Sequence, residues 1–133
     1  MPAGLIINDR IKLIRERKGL TASALARMAG LNQSEISQIE SHLKRSPRLD
    51  TIQRIARALD VSIDFLLGSY EYRGSLDTAL AFEALNLYLR DRNLSEEQIS
   101  GLRRVAEGST PPRSIREWEQ FVNNLSVYES HRG

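Results

Sequence analysis

Apolar residues recur along this chain at intervals of three and four, and no alternating run is bounded by Asn-Gly or Asp-Gly. That pattern predicts helices from end to end. A first helix is expected from about Asn8 to Lys18, with Ile11 and Ile14 on one face and Gly19 as its stop. A second opens at Thr21, buries Leu25, Ala26 and Ala29, and ends at Gly30. Asn32 starts a third, where Glu35 can return the capping bond and Ile36 and Ile39 turn inward. After "SHLKRSPR", in which Pro47 forbids helix continuation, a fourth runs from about Leu49 to Leu59. It is expected to bury Leu49, Ile52, Ile55, Ala56 and Leu59. A fifth, between Ser62 and Gly68, buries Ile63, Leu66 and Phe65.

"GSYEYRGS", with two Gly and two Ser, reads as a linker. Beyond it Ser75 caps a helix to about Asp91, in which Ala79, Leu80, Phe82, Leu85, Leu87 and Leu89 fit no single stripe. Such a helix needs cover on two sides. In "LSEEQI", Ser95 and Gln98 form a capping box, Leu94 can staple onto Ile99, and Gly108 stops the helix. Pro111 and Pro112 break the chain, and Ser114 with Glu117 predicts another capping box. The last helix should bury Ile115, Trp118, Phe121, Val122 and Leu125, with "YESHRG" fraying at its end. The expected organisation is all-α: residues 1–68 as one five-helix domain, 69–75 as a linker, and 76–133 as a three-helix domain.

The third helix poses a question. "LNQSEISQIE" is polar, yet it contains no Lys or Arg. Two short helices meeting at Gly30-Leu31 make a helix-turn-helix pattern. Gln33, Ser34, Ser37 and Gln38 fall on the outward face of the second. Amides and hydroxyls both donate and accept hydrogen bonds, which suits base edges in the major groove. Lys would hold any phosphate; Gln and Ser discriminate. Arg10, Lys12, Lys44, Arg45 and Arg48 flank this helix and can hold the backbone while it reads.

Charge and composition narrow the field. Residues 1–68 carry eleven Lys/Arg against seven Asp/Glu, and residues 69–133 carry eight against ten. A basic half beside an acidic half places the polyanion at the first. There is no Cys, and His42 and His131 are the only histidines, so thiolate chemistry and a His-rich metal site are excluded. No cofactor is expected, and no apolar run is long enough to span a bilayer. With no signal peptide visible, the expected location is the cytoplasm.

The stretch "IKLIRERKGLTASALARMAGLNQSEISQIE", followed by "SPRLDTIQRIARALDVSIDFLLG", resembles the Cro/cI-type helix-turn-helix domain, the XRE family of bacterial and phage repressors. The resemblance implies a lambda-repressor-like five-helix fold. It places Gln33, Ser34 and Gln38 at base-reading positions, Ser37 and Ser41 beside the groove, and Lys44 and Arg45 near phosphates. Arg48 falls where some phage repressors put an arginine into the minor groove. Arg15 and Glu40 match a structural ion pair between the first and third helices. Two departures stand out. Ala22 replaces a Gln that often follows the helix-two cap, removing a phosphate contact. Ser41-His42 replaces the usual Asn-Gly, so a sharp glycine turn is expected to be lost.

"PPRSIREW" after the "LSEEQ" helix is similar to the C-terminal region of small radiation- and desiccation-response repressors, which implies a tail that dimerises and is cut by a metalloprotease. A second comparison is with repressors of the biofilm and sporulation switch, whose helical tail binds an antagonist. Leu80, Phe82, Leu85, Leu89, Trp118 and Phe121 are expected to serve both as core and as a dimer interface. Three helices in ~60 residues make a marginal core alone. The expected function is that of a dimeric repressor on a pseudo-palindromic operator in double-stranded DNA. The alternative is an antitoxin-like or antagonist-binding module, and an enzyme is not expected.

Overall fold

The computed structural model describes residues 6–43 and 46–132, the last seven as backbone only. Eight helices follow one another: α1 (Ile7–Arg17), α2 (Ala22–Ala29), α3 (Gln33–Glu40), α4 (Leu49–Leu59), α5 (Ile63–Leu67), α6 (Leu76–Leu89), α7 (Glu96–Ala106) and α8 (Ile115–Arg132). No strand occurs among the described residues. The chain divides into two compact units, Met1–Tyr72 and Arg73–Gly133.

In the first unit α2 packs on α3 and α4, and α1 packs on α3, α4 and α5. Ile11, Ile14, Leu25, Ile36, Ile39, Ile55, Leu59, Phe65 and Leu66 are fully or almost fully buried. Hydroxyls start the helices where the sequence placed them: Thr21 accepts from Ala24 N–H at 3.0 Å, and Ser62 from Phe65 N–H at 3.0 Å. Leu49 departs from expectation. It is 62% exposed. As the first residue of α4, it lies one turn before the stripe formed by Ile52, Ile55, Ala56 and Leu59 takes hold. Ile63 is likewise only half-buried, while Phe65 carries the burial in α5.

All five helices of this unit close in the same way. A left-handed residue follows the last turn, and the next N–H reaches back along the helix: Leu20 to Arg15, Leu31 to Ala26, Leu43 to Gln38, Val61 to Ala56 and Ser69 to Asp64, at 2.8–3.1 Å. These are Schellman closures, which satisfy carbonyls that a helix end leaves open. Glycine fills three of the left-handed positions, Gly19, Gly30 and Gly68. His42 (φ 65°) and Asp60 (φ 55°) fill the other two. The turn expected to be lost at Ser41-His42 is therefore present, made by a histidine.

Ser69–Tyr72, which the sequence suggests as linker, belong to the first unit. Tyr70 and Tyr72 pack on Phe65, with ring centroids 6.1 and 5.9 Å away. Two glycines and two serines suggest a free segment, but the tyrosines between them find an aromatic partner.

The second unit is built around α6, which packs against both α7 and α8. That explains the lack of a single apolar stripe. Ala81, Ala84, Leu85, Tyr88, Leu102, Ala106 and Trp118 form its core. The Trp118 indole N–H donates to the Ala81 carbonyl at 3.0 Å, and its ring meets Phe121 edge-on. Ser95 and Gln98 form the expected capping box at α7. At α8, Ser114 accepts from Glu117 N–H at 3.0 Å, but the Glu117 carboxylate reaches past the cap to the Arg113 N–H at 2.6 Å. Helical backbone continues to Arg132, beyond the point where fraying is expected. Leu125 is 42% exposed rather than buried.

Candidate nucleic-acid interface

The geometry of α3 follows from its N-terminal cap and from the contacts on its inner side. Asn32 accepts from Glu35 N–H at 3.0 Å, and the Glu35 carboxylate accepts from Asn32 N–H at 3.5 Å. Ile36 and Ile39 are buried. The Asn8 amide donates to the Ile39 carbonyl at 2.8 Å. Arg15 grips Glu40 with Nε and a terminal nitrogen, and donates a third bond to the Leu20 carbonyl at 2.6 Å. The Glu40 hydrogen bond, more than its charge, raises the Arg15 pKa above the ordinary guanidinium value and outweighs the opposing effect of burial. One helix side is thus fully committed to the fold.

What remains outward is Gln33, Ser34 and Ser37, all exposed, with Gln38 half-buried beside them. Ser34 Oγ donates to the Asn32 side chain at 2.7 Å, which orients the first turn. Both carboxylates of α3 turn away from this face, Glu35 into its cap and Glu40 onto α1. The polarity of α3 without cationic side chains therefore has a structural meaning. Its outward surface presents neutral donors and acceptors, with no negative charge directed at an approaching polyanion.

The cations expected around this face divide. Arg10 is a correction. It is 2% exposed, its Nε donates to the Leu66 carbonyl at 3.0 Å, and a terminal nitrogen donates to the Phe65 carbonyl. The guanidinium also lies 5.2 Å from the Phe65 ring centroid. Burial lowers its pKa, and the nearby Glu71 charge partly restores it. Arg10 therefore closes the carbonyl end of α5, where the helix dipole favours a cation, and cannot reach a phosphate. Its spacing holds the clue: four residues before Ile14, it lies on the inward stripe of α1.

Lys12 and Arg48 are exposed, the latter at the start of α4. Ser41 is exposed at the end of α3, its hydroxyl 3.4 Å from the Gln38 carbonyl. Lys44 and Arg45 lie outside the described residues. Sequence reasoning missed the contact between His42 Nε2 and Asp9 Oδ1, 2.8 Å apart, which ties the end of α3 to α1. It also missed Arg54, whose guanidinium donates to the Gly30 carbonyl at the turn, at 3.3 Å. No grouping of His, Asp or Glu able to hold a metal occurs among the described residues, and no described helix is long and apolar enough to cross a membrane.

The expected dimer residues divide as well. Leu80, Leu85 and Trp118 have no exposed surface. Leu85 and Trp118 are spent on the core of the second unit itself. Phe82, Leu89 and Phe121 pack against that core and keep some surface. Between α7 and α8, both of which pack on α6, lies an open cleft of about 340 Å³. Leu94, Leu102, Val105, Phe121, Val122 and Leu125 supply its apolar lining.

The helix-turn-helix family model matches residues 11–66. The chain is 38% identical over 76 residues to the HTH-type transcriptional regulator SinR of Bacillus licheniformis, spanning 55% of this chain and 68% of that one. The same identity and coverage hold for SinR of Bacillus subtilis strain 168. It is 33% identical over 64 residues to the immunity repressor protein of Bacillus phage phi105, spanning 48% of this chain and 44% of the relative. With its two short helices meeting at Gly30, the chain belongs to the Cro/cI-type, or XRE, helix-turn-helix family of transcriptional regulators.

Proposed function

We propose that this protein is a sequence-specific repressor that lays the Gln33–Gln38 face of α3 against base edges in the major groove. One observation carries the reading. The outward side chains of α3 are amides and hydroxyls, while its carboxylates are engaged elsewhere, Glu35 in the helix's own cap and Glu40 with Arg15 of α1. Gln33 and Gln38 can each present a bidentate pair to adenine, and Ser34 and Ser37 adapt to either base of a pair. Arg48, Ser41, Lys44 and Arg45 hold the phosphates or enter the minor groove, fixing register without reading sequence.

Two copies act together, their second units meeting through the α7–α8 cleft. Paired readers then face half-sites about 34 Å apart on a pseudo-palindromic operator. The same cleft supports a second reading, in which an apolar helix of an antagonist protein fills it in place of the second copy. A stoichiometric partner carried through purification would favour that alternative.

Selection of bound fragments from random DNA tests the main reading. A pseudo-palindrome is expected, and Gln38→Ala should cost roughly 1–3 kcal/mol at one base pair per half-site. If Gln38→Ala left operator preference intact, α3 would not be the reader.

A further inference from the structure

The segment joining the two units is shorter than its sequence suggests. Ser69 N–H is already committed to the Asp64 carbonyl at 2.9 Å, as part of the α5 closure. Tyr70 lies against Phe65, and its hydroxyl is 2.8 Å from Ser62 Oγ. Tyr72 lies against both Phe65 and Tyr70, with centroids 5.9 and 5.6 Å away. Between them Glu71 is close enough to Arg10 to attract its charge. Phe65, the centre of this cluster, is fully buried and is also the ring over which Arg10 sits. On the far side, Ser75 already caps α6 by accepting from Thr78 N–H at 3.2 Å. Only Arg73 and Gly74 are left between the two anchored ends, and Gly74 holds a left-handed φ of 97°.

We propose that the Phe65–Tyr70–Tyr72 ring cluster is a clasp that restricts which half-site spacings the repressor accepts. This rests on the reading of two chains on paired half-sites. With the clasp closed, the tether has two residues and a fully extended reach of about 7 Å per chain. With it open, residues 70–74 are free and the reach grows to about 17 Å. Linked binding modules engage together only when the linker spans their separation, so tether length determines which spacings gain from the second contact. Tyr70 and Tyr72 touch no base in this scheme; they are positioning residues that act through the tether.

The test is a set of operators whose half-sites are moved apart or together by one or two base pairs, bound by the full chain. The natural protein should weaken at least about tenfold in affinity for a one-base-pair change, and the Tyr70→Ser, Tyr72→Ser double variant less than about threefold. Affinity for DNA bearing a single half-site should be the same for both, which also checks that the variant is folded. Tyr72→Phe, which keeps the ring, should behave as the natural protein. Inserting Gly-Ser-Gly-Ser after Arg73 leaves the clasp untouched and should broaden spacing tolerance as the double variant does.

A natural protein sharp in its preference with an equally sharp double variant would overturn the clasp. So would an insertion that leaves the profile unchanged, because the tether would then not be limiting. If the natural protein itself ignored spacing, the paired half-site reading would fall, and the clasp's role with it. That outcome is told apart from the others by the natural protein alone.

Discussion

Arg15 and Glu40 meet through two hydrogen bonds of 2.7 Å each, joining α1 to the last turn of α3 across 25 residues of sequence. The side chains are 12% and 9% exposed. The pair fixes the rotation of α3 about its axis, and with it the direction of Gln33 and Gln38. Replacing Arg15 by Ala leaves a mostly buried carboxylate without its partner. It should lower stability by about 2–4 kcal/mol, read as a shift in the urea midpoint. Arg15→Lys should recover only part of this, because an ammonium cannot supply the two-pronged grip.

Arg10 and Arg48 should separate fold from recognition. Arg10→Ala strips two α5 carbonyls of their donor and should cost about 3 kcal/mol of stability. The salt dependence of DNA binding, measured where the variant is folded, should stay the same. Arg48→Ala should do the opposite. Stability should change by less than about 0.5 kcal/mol. The slope of log affinity against log salt should fall by about 0.9 for each phosphate that Arg48 neutralises.

His42 occupies a left-handed position that glycine adopts freely. Its contact with Asp9 is between two half-exposed side chains and contributes little. His42→Gly should therefore raise stability by up to about 1 kcal/mol, the relief of left-handed strain being partly offset by greater freedom of the unfolded chain. Thermal unfolding would register it. A lower midpoint would show that the Asp9 contact matters more than backbone strain.

Leu125 tests the proposed contact between two copies. It lies at the edge of the α7–α8 cleft with 42% of its surface exposed, so Leu125→Glu should disturb the core little. A charge placed in an apolar contact between chains should shift the protein toward monomer, read by light scattering at micromolar concentration. An unchanged mass would place the dimer contact elsewhere.

Much of the fold is legible in the sequence because its signals are local. Asn32 with Glu35, and Ser95 with Gln98, announce helix starts within four residues. The ring cluster is not legible, because Phe65 pairs with tyrosines in a stretch bracketed by Gly and Ser, and that composition outweighs the rings. For Arg10, charge suggests exposure, whereas its position on the stripe of Ile14 points inward. At His42 and Asp60 the usable signal is hydrophobic rather than glycine. An apolar residue follows the left-handed position in four of the five closures: Leu20, Leu31, Leu43 and Val61. In the candidate site, the outward face of α3 can be read from helical periodicity. The partition of Leu80, Leu85 and Trp118 into the interior cannot, since periodicity does not say which side of an apolar helix is covered by its own chain.

The closures have one more consequence. Helix α3 begins on a side-chain cap from Asn32 and ends on main-chain bonds to His42 and Leu43. Gln33, Ser37 and Gln38 therefore do not hold either end of their own helix together through their side chains. Substitutions at these positions therefore leave both closures of the helix in place, and if α3 is the reader, as proposed, a few of them would direct an intact scaffold to a different set of promoters.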